Sequence, residues 1–219
     1  DIIEMLELSL AAGHRSLVLT NAMKPLHQKK APLLELRNKY PDELTVRISI
    51  DYPSQDGHEE LRGPGSWAAM REGITWLARG GFCIDVAGRT RSGESEDQLR
   101  SLYADLFERW EIELDAADPV ALVLFPEMDA RLDVPEITTA CWNILGVSPD
   151  AMMCATSRMI VRRKSAPKPS VVACTLLPYD QQFELGSTLA DAAGTVSLNH
   201  PHCARFCVLG GGACSVAEP

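Results

Sequence analysis

The residues with the clearest potential for chemistry are cysteines near the C-terminal end of the chain. Of the seven cysteines among 219 residues, five fall in the last third, and these are Cys154, Cys174, Cys203, Cys207 and Cys214. Thiolates at such spacing suit an iron–sulfur cluster or a zinc ion. Glycines between Cys207 and Cys214 would let the backbone approach a bulky cluster. The pattern therefore predicts a metal centre that takes three or four ligands from these five thiols.

Two other interpretations of the cysteines stay open. Free cysteine is among the most buried residue types, so the thiols could simply belong to an apolar core. Disulfides are less expected, because the chain has an ample core and no export signal. His200 and His202 flank the first of the tail cysteines and could supply an imidazole ligand. Cys83 and Cys141 fall on apolar faces of predicted elements, which indicates core positions.

Composition sets the class of protein that would carry this centre. Hydrophobic residues make up 46% and charged residues 23%, which is typical of a globular chain. The net charge of −9 and the shortness of the basic run at 162–164 argue against a nucleic-acid partner. No apolar stretch reaches about 18 residues, so no membrane span is expected. An oxygen-labile centre would require a reducing compartment, and we expect the cytoplasm.

The elements that must position these groups alternate over the first 126 residues. Apolar runs predict strands at 16–19, 44–50, 82–87 and 121–125, and amphipathic stretches between them predict helices. Ser66 is an expected helix N-cap, and Ser95 with Gln98 forms a capping-box pattern. Four helix-then-strand repeats imply a parallel sheet covered by helices, either an open doubly wound sheet or part of a (β/α) barrel.

After Phe125 the pattern changes. One short helix is predicted at 137–145, and extended segments at 158–163 and 171–177 predict a β-hairpin. Cys154 lies just before the first of these strands and Cys174 lies within the second. The predicted organisation is an α/β domain at 1–126, a connecting segment at 127–153 and a cysteine-rich module at 154–219. Such a module has little capacity for a core and usually needs a metal to stay folded.

Motifs along the chain resemble those of the radical S-adenosylmethionine (SAM) family. One predicted strand ends in Thr20-Asn21, the next ends in Ser49-Ile50-Asp51, and His58-Glu59-Glu60-Leu61-Arg62-Gly63 leads into a helix. The hairpin, Leu185-Gly186 and the cysteine-rich close resemble the SPASM or twitch module of that family. The order of these motifs carries the resemblance, which covers nearly the whole chain.

The resemblance implies a fold and an activity. The fold would be a partial (β/α)6 TIM-like barrel, with N-terminal βα units missing, followed by a small β-hairpin, cysteine-rich module. The family cleaves SAM reductively at a catalytic [4Fe-4S] cluster, and the resulting radical abstracts hydrogen from substrate. The module would bind an auxiliary [4Fe-4S] cluster. Expected partners are a small-molecule or peptide substrate and an electron donor such as a flavodoxin or ferredoxin.

Site residues follow from the same resemblance. Residues implied to bind SAM at the carboxyl ends of the strands are Thr20, Asn21, Ser49, Asp51 and Arg62. A serine hydroxyl can bond the ribose or the carboxylate, and the arginine fork suits the carboxylate. Weaker candidates near strand ends are His58, Arg89, Thr90, Glu127 and Asp129. No catalytic residue is assigned.

Two departures from the family pattern open an alternative. The Cys-x-x-x-Cys-x-x-Cys segment that binds the catalytic cluster is absent from these 219 residues, as is the Gly-Gly-Glu-like segment that holds SAM. We therefore expect that an N-terminal part is missing and that the chain is inactive by itself. Five cysteines support one auxiliary cluster rather than two. The alternative is a non-catalytic zinc- or iron–sulfur-binding α/β interaction module.

Overall fold

The computed structural model describes residues 2–91, 93–127, 131 and 133–210. The chain divides into two compact units, Asp1–Glu127 and Met128–Pro219. A four-stranded parallel sheet forms the centre of the first unit, and the second unit contains a small three-stranded antiparallel sheet. Among the described helices, none has the length and apolar character needed to cross a membrane.

Helices and strands alternate through the first unit. In chain order they are α1 (Ile2–Ala11), β1 (Ser16–Thr20), α2 (Lys24–His27), α3 (Lys30–Lys39), β2 (Leu44–Ser49), α4 (Gln55–Arg62), α5 (Ser66–Arg79), β3 (Cys83–Arg89), α6 (Glu96–Arg109) and β4 (Leu122–Phe125). The strands pair in the order β1-β2-β3-β4, and every pair is parallel. Each strand thus lies beside its neighbour in sequence, without reversal, in a sheet that stays open within the described residues.

The two faces of this sheet differ because successive strand residues point to opposite sides. One face packs against the helices, and the resulting core contains Val46, Ile48, Val86 and Leu122. Burial of such side chains is the main stabilising contribution to a sheet of this kind, at about 25 cal/mol per Å2 of apolar surface. The parallel sheet predicted from the apolar runs is confirmed.

The opposite face is more polar. The strand register places Leu19, Arg47 and Asp85 in one row across β1, β2 and β3. Arg47 and Asp85 form a buried ion pair of 2.9 Å, whereas Leu19 is 61% exposed. Burial raises the pKa of Asp85, against the opposing effect of Arg47. This face therefore combines a buried charge pair with exposed apolar side chains.

Helix ends follow the expected chemistry in one case and depart from it in another. The Ser95 hydroxyl accepts a hydrogen bond from the backbone N–H of Gln98, as the capping box predicts. The prediction for Ser66 is wrong, because this residue is already inside α5 and its hydroxyl donates to the carbonyl of Gly63. The cap comes instead from Glu59 of α4, whose carboxylate accepts the N–H groups of residues 65 and 67.

Short elements make up the second unit. They are α7 (Ala140–Leu145), a 3-10 turn (Pro149–Ala151), α8 (Met153–Thr156), β5 (Met159–Val161), β6 (Ser170–Val172), a 3-10 turn (Gln181–Phe183), β7 (Glu184–Gly186), a 3-10 turn (Asp191–Ala193) and a π-helix (Cys203–Val208). The strands β5 and β6 form the predicted hairpin, with Met159 opposite Val172. The third strand, β7, pairs antiparallel with β6 and was not predicted.

Neither isolated cysteine is a core residue, so both predictions are wrong. Cys141 lies on α7, a six-residue helix that contains no buried residue. Cys83 begins β3 on the face opposite the helices, and its thiol donates to the carbonyl of Pro41 at 3.6 Å. The helix α7 is too short to bury the thiol of Cys141, and Cys83, as the first residue of β3, is only partly covered.

Candidate functional site

Four of the five clustered cysteines line one cavity in the second unit. The space between its lining atoms measures about 360 Å3 and is partly open to solvent. Its other lining residues are apolar, and they are Met153, Ala173, Leu176, Leu177, Phe183, Val196 and Leu198. Cys154, Cys174, Cys203 and Cys207 therefore share one apolar space. The fifth, Cys214, lies outside the described residues.

Three separate stretches of chain bring these thiols together. Cys154 lies on α8, the helix that precedes β5 of the hairpin, and Cys174 lies just after β6. Cys203 and Cys207 lie on the π-helix, where the N–H of Leu209 donates to the carbonyl of Ala204, five residues earlier. Single π-turns of this kind occur frequently at functional sites. The four-residue offset of the two cysteines and the local π-turn place both thiols at the same cavity.

Burial changes the ionisation of these thiols. It raises the pKa of Cys203 to about 11, and the nearby thiols of Cys174 and Cys154 add to the shift. Burial also raises the pKa of Cys154, with a further contribution from Cys174. These three thiols are therefore close enough to influence one another. With their pKa values raised, Cys154 and Cys203 carry protons at neutral pH, which a metal must displace because the thiolate is the ligand.

The donor set can be compared with the groups that thiols bind. Within the described ranges, no three His, Cys, Asp or Glu side chains are arranged to hold a single metal ion. One zinc ion with thiolate bonds of about 2.3 Å would draw four sulfurs to about 3.8 Å from each other. A four-iron cluster binds one thiolate at each iron and so accepts sulfurs that are farther apart. An all-thiol donor set around an apolar cavity fits the cluster.

The two predicted histidines lie beside the cavity but do not line it. The backbone N–H of His202 donates to Nδ1 of His200 at 3.0 Å. The His200 ring meets the ring of Phe183 edge-on, with centroids 6.0 Å apart. Because neither histidine lines the cavity, this arrangement gives no support to imidazole ligation.

Arg158 is a residue that the sequence reasoning missed. Its guanidinium donates to the carbonyl of Cys154, to that of Ser157 at 2.8 Å, to that of Ala192 at 2.8 Å and to that of Gly194 at 3.2 Å. The signal available in the sequence was its position four residues after Cys154, at the end of α8. Carbonyls at a helix C-terminus lack intrahelical donors, and basic side chains often supply them.

A second group of polar residues lies at the carboxyl end of the parallel sheet. Asp51, which follows β2, is 3% exposed and accepts hydrogen bonds from two arginines. Arg62 donates through Nε and Nη2, and Arg89 donates through Nε at 3.0 Å. Burial acts to raise the pKa of Asp51, but the hydrogen bonds and charges of Arg62 and Arg89 outweigh it and hold the pKa below its usual value. The arginines outnumber the carboxylate, so this cluster is cationic.

His58 supports this cluster from the interior. It is 1% exposed, and its Nδ1 accepts the backbone N–H of Asp51 at 3.3 Å. Its ring meets Trp67 edge-on at 5.6 Å, and burial lowers its pKa. A neutral ring that accepts at Nδ1 carries its proton on Nε2. His58 is therefore a buried positioning group for Asp51 rather than a group open to a ligand.

Thr20 and Asn21, the SAM-binding residues predicted at the end of β1, form hydrogen bonds within a local turn. The hydroxyl of Thr20 accepts the N–H of Ala22 at 3.0 Å, and Oδ1 of Asn21 accepts the N–H of Met23 at 3.1 Å. Ala22 has a positive φ of 53° and is fully buried. Gly73 of α5 makes this turn possible, because a Cβ there would lie 1.9 Å from the Ala22 carbonyl oxygen. Thr20 and Asn21 thus build the turn that ends β1.

The remaining candidates divide between strand ends and loops. Ser49 ends β2 on the face that carries Arg47, in register with Ala87 of β3. The hydroxyl of Thr90 donates to the carbonyl of Phe125 at 3.5 Å, which ties the end of β3 to β4. Glu127 is exposed, and Asp129 lies outside the described residues. Of the site residues predicted in the first unit, the structure thus brings Asp51, Arg62 and Arg89 into direct contact.

The arrangement offers two kinds of chemistry. The thiols of the second unit can ligate a soft metal centre in an apolar cavity. The arginines of the first unit keep N–H donors beyond those bound to Asp51 and can receive an anionic group. Comparisons of the chain with protein-family models, with characterised proteins and with solved structures find no match.

Proposed function

We propose that the chain is part of a radical SAM enzyme and that its second unit holds one auxiliary [4Fe-4S] cluster through Cys154, Cys174, Cys203 and Cys207. The observation that carries this proposal is the convergence of these four thiols, from three stretches of chain, on one apolar cavity. Four thiolates complete the ligation of such a cluster. Cys214 is then not needed as a ligand.

The cavity suits this group in its walls as well as in its donors. Leu177, Phe183 and Val196 give the space between the thiols apolar walls. The raised pKa values of Cys154 and Cys203 follow from burial, because a buried thiolate without a bound metal lacks a compensating charge. When bound, a [4Fe-4S] cluster supplies one-electron transfer, and the hydrophobic shell around it limits access of solvent and oxygen.

The strand order of the first unit favours a segment of a (β/α) barrel rather than a doubly wound sheet. Doubly wound sheets reverse their strand order at a switch point, whereas the strands of a (β/α) barrel follow one another in sequence. The order β1-β2-β3-β4 has no reversal. Barrel enzymes place their sites at the carboxyl ends of the strands, and this is the edge where Ser49, Asp51 and Arg89 lie.

The proposed roles at this edge follow from the contacts. Asp51 holds Arg62 and Arg89 in fixed orientations, so it acts as a positioning residue. The free donors of the two guanidinium groups would bind the SAM carboxylate, and the Ser49 hydroxyl would bond to its ribose or carboxylate. Thr20 and Asn21 would shape the neighbouring strand end. Cleavage of SAM itself needs a second cluster, held by a Cys-x-x-x-Cys-x-x-Cys segment that these 219 residues lack.

Reconstitution of the chain tests the cluster. Oxygen-free incubation with ferrous iron and sulfide is expected to load about four irons and four sulfides per chain and to give broad visible absorption. Cys174→Ser and Cys203→Ser are each expected to lose most of this iron. Cys83→Ser and Cys141→Ser are matched controls, because neither thiol lines the cavity, and both should load like the unchanged chain.

Other outcomes separate the alternatives. Binding of one zinc ion without colour would support the non-catalytic zinc module. Unchanged metal loading in Cys203→Ser would show that the cysteines are core residues and not metal ligands. The enzymatic part has its own test in the reading frame ahead of Asp1. A Cys-x-x-x-Cys-x-x-Cys segment there supports the enzyme, and a complete frame without one supports the interaction module.

A further inference from the structure

The guanidinium of Arg158 is held entirely by backbone carbonyls in the second unit. It reaches the carbonyls of Cys154 and Ser157 on one side and those of Ala192 and Gly194 on the other. No carboxylate ion-pairs with it among the described residues. Within the part of the chain that the structure describes, the charge of Arg158 is therefore not taken up by an ion pair, although Asp150 lines the same groove.

These contacts connect Arg158 to the cysteine cavity from two directions. Its bond to the Cys154 carbonyl fixes the backbone of a cavity thiol. Its bonds to Ala192 and Gly194 fix the segment that leads into Val196 and Leu198, two walls of the cavity. Cys154, Val196 and Leu198 also line an open groove on the side of Arg158. One cation thus braces a ligand and the apolar wall that separates the cavity from solvent.

We propose that Arg158 is a positioning residue for the cluster ligand Cys154 and that its positive charge raises the reduction potential of the bound cluster. This inference rests on the cluster proposed above. Reduction adds one negative charge to a cluster that four thiolates already make anionic, and a nearby cation stabilises the reduced form more than the oxidised form. The net charge and solvent exposure around a cluster are established determinants of its potential.

Two substitutions separate the charge of Arg158 from its hydrogen bonds. Arg158→Lys keeps a positive charge but cannot span four carbonyls, because an ammonium group lacks the planar fork of a guanidinium. Arg158→Gln removes the charge and keeps an amide donor. Arg163→Gln is the matched control, since Arg163 belongs to the same unit, pairs with Glu184 and does not line the cavity.

The experiment uses the reconstituted chain and has two measurements. The midpoint potential is measured by redox titration of the visible band, and the rate of iron loss is measured with an excess of a ferrous chelator. Arg158→Gln is expected to shift the potential to a more negative value. Arg158→Lys is expected to keep the potential but to lose iron roughly tenfold faster. Arg163→Gln should leave both quantities unchanged.

Several results would overturn the inference. An Arg158→Gln chain that binds four irons at an unshifted potential shows that the charge has no effect. Equal shifts in Arg158→Lys and Arg158→Gln remove the charge as the cause, and unchanged iron loss in Arg158→Lys removes the positioning role. If Arg158→Gln takes up no iron, Arg158→Lys decides: a potential that shifts although the positive charge is kept, or an unchanged rate of iron loss, overturns the inference. If the unchanged chain binds no iron, the proposed cluster itself fails, which is distinguishable from all of these results.

Discussion

The two units of this chain are built on different scales. In the described part of the first unit, 22 buried residues form one hydrophobic core under strands of four to seven residues. The corresponding cluster around the cysteines of the second unit contains four, Ala173, Leu177, Phe183 and Cys203, and its strands have three residues each. In the second unit, thiols thus line part of the interior space that apolar side chains such as leucine fill in a larger domain. We infer that apolar burial folds the first unit and that a bound metal centre completes the second.

Removal of the metal should have the largest effect on stability and should distinguish the two units most clearly. Stripping iron from the reconstituted chain is expected to speed amide hydrogen exchange in β5, β6 and β7 by at least about a thousandfold, or about 4 kcal/mol, because metal binding contributes directly to folding. Amides of β2 and β3 should keep their protection. The measurement is hydrogen exchange followed by mass spectrometry. Equal protection of β6 with and without iron would show that the small core suffices.

The first unit should instead be sensitive to packing. In Gly73→Ala the new methyl group would lie 1.9 Å from the Ala22 carbonyl oxygen, so α5 or the turn after β1 must move. We expect a loss of about 3 kcal/mol in the free energy of unfolding. Urea unfolding followed by tryptophan fluorescence reports this, since three of the four tryptophans, Trp67, Trp76 and Trp110, belong to the first unit and only Trp142 belongs to the second.

Gly80, the C-cap of the same helix, is the control for that substitution. In Gly80→Ala the methyl group would lie 3.1 Å from the ring of Phe82 and 3.2 Å from the carbonyl oxygen of Trp76, well beyond the 1.9 Å at Gly73, and φ is an ordinary −76°. This substitution should cost much less than Gly73→Ala. Equal losses of unfolding free energy in the two variants would mean that the close approach of α5 to Ala22 does not limit the stability of the first unit.

The cationic cluster of the first unit should contribute an intermediate amount. Asp51→Asn leaves Arg62 and Arg89 without their shared carboxylate, and we expect a loss of about 2 kcal/mol at pH 7. This is below the usual cost of breaking a buried pair, because Arg62 and Arg89 are 32% and 52% exposed and water screens them. Glu60→Gln, which affects only an exposed pair with Arg91, is the control.

The same variant should show a distinct pH dependence. The pKa of Asp51 is lower in the folded protein than its usual value of 3.8, so the ionised carboxylate is the form that stabilises the fold. Its contribution is complete above the unfolded pKa and is lost as the pH falls through the lower folded pKa. The stability difference between the unchanged chain and Asp51→Asn should therefore shrink below about pH 4. A difference that stays constant down to pH 2 would contradict this assignment.

The smallest predicted effect concerns a single helix cap. Ser95→Ala removes the hydroxyl that accepts the N–H of Gln98 at the start of α6, and such caps contribute about 1 kcal/mol. Ser101→Ala, at an exposed position of the same helix, should be neutral or slightly stabilising because alanine has the higher helix propensity. Thermal unfolding by far-ultraviolet circular dichroism compares the two. A cost in Ser101→Ala as large as that in Ser95→Ala would remove the cap as the explanation.

Sequence patterns predicted the regular parts of the molecule well because those parts obey local rules. The four strands of the first unit and the hairpin of the second all lie within two residues of their predicted starts. β7 was missed because three residues ending at Gly186 carry too short a pattern to indicate a strand. The cysteines were recognised by residue type and spacing, whereas Arg158 was missed because its partners Ala192 and Gly194 are distant in sequence.

By itself, the sequence determined the parallel α/β sheet, the hairpin and the residue types able to hold a metal centre, since periodicity and chemical type are local properties. Only the tertiary structure decided that Asp51 is shared by Arg62 and Arg89 and that four thiols line one cavity. It also decided that the ring of His200 packs against Phe183 and that neither His200 nor His202 lines that cavity. Such pairings depend on how distant segments pack, and no local pattern encodes the distance between side chains that packing brings together.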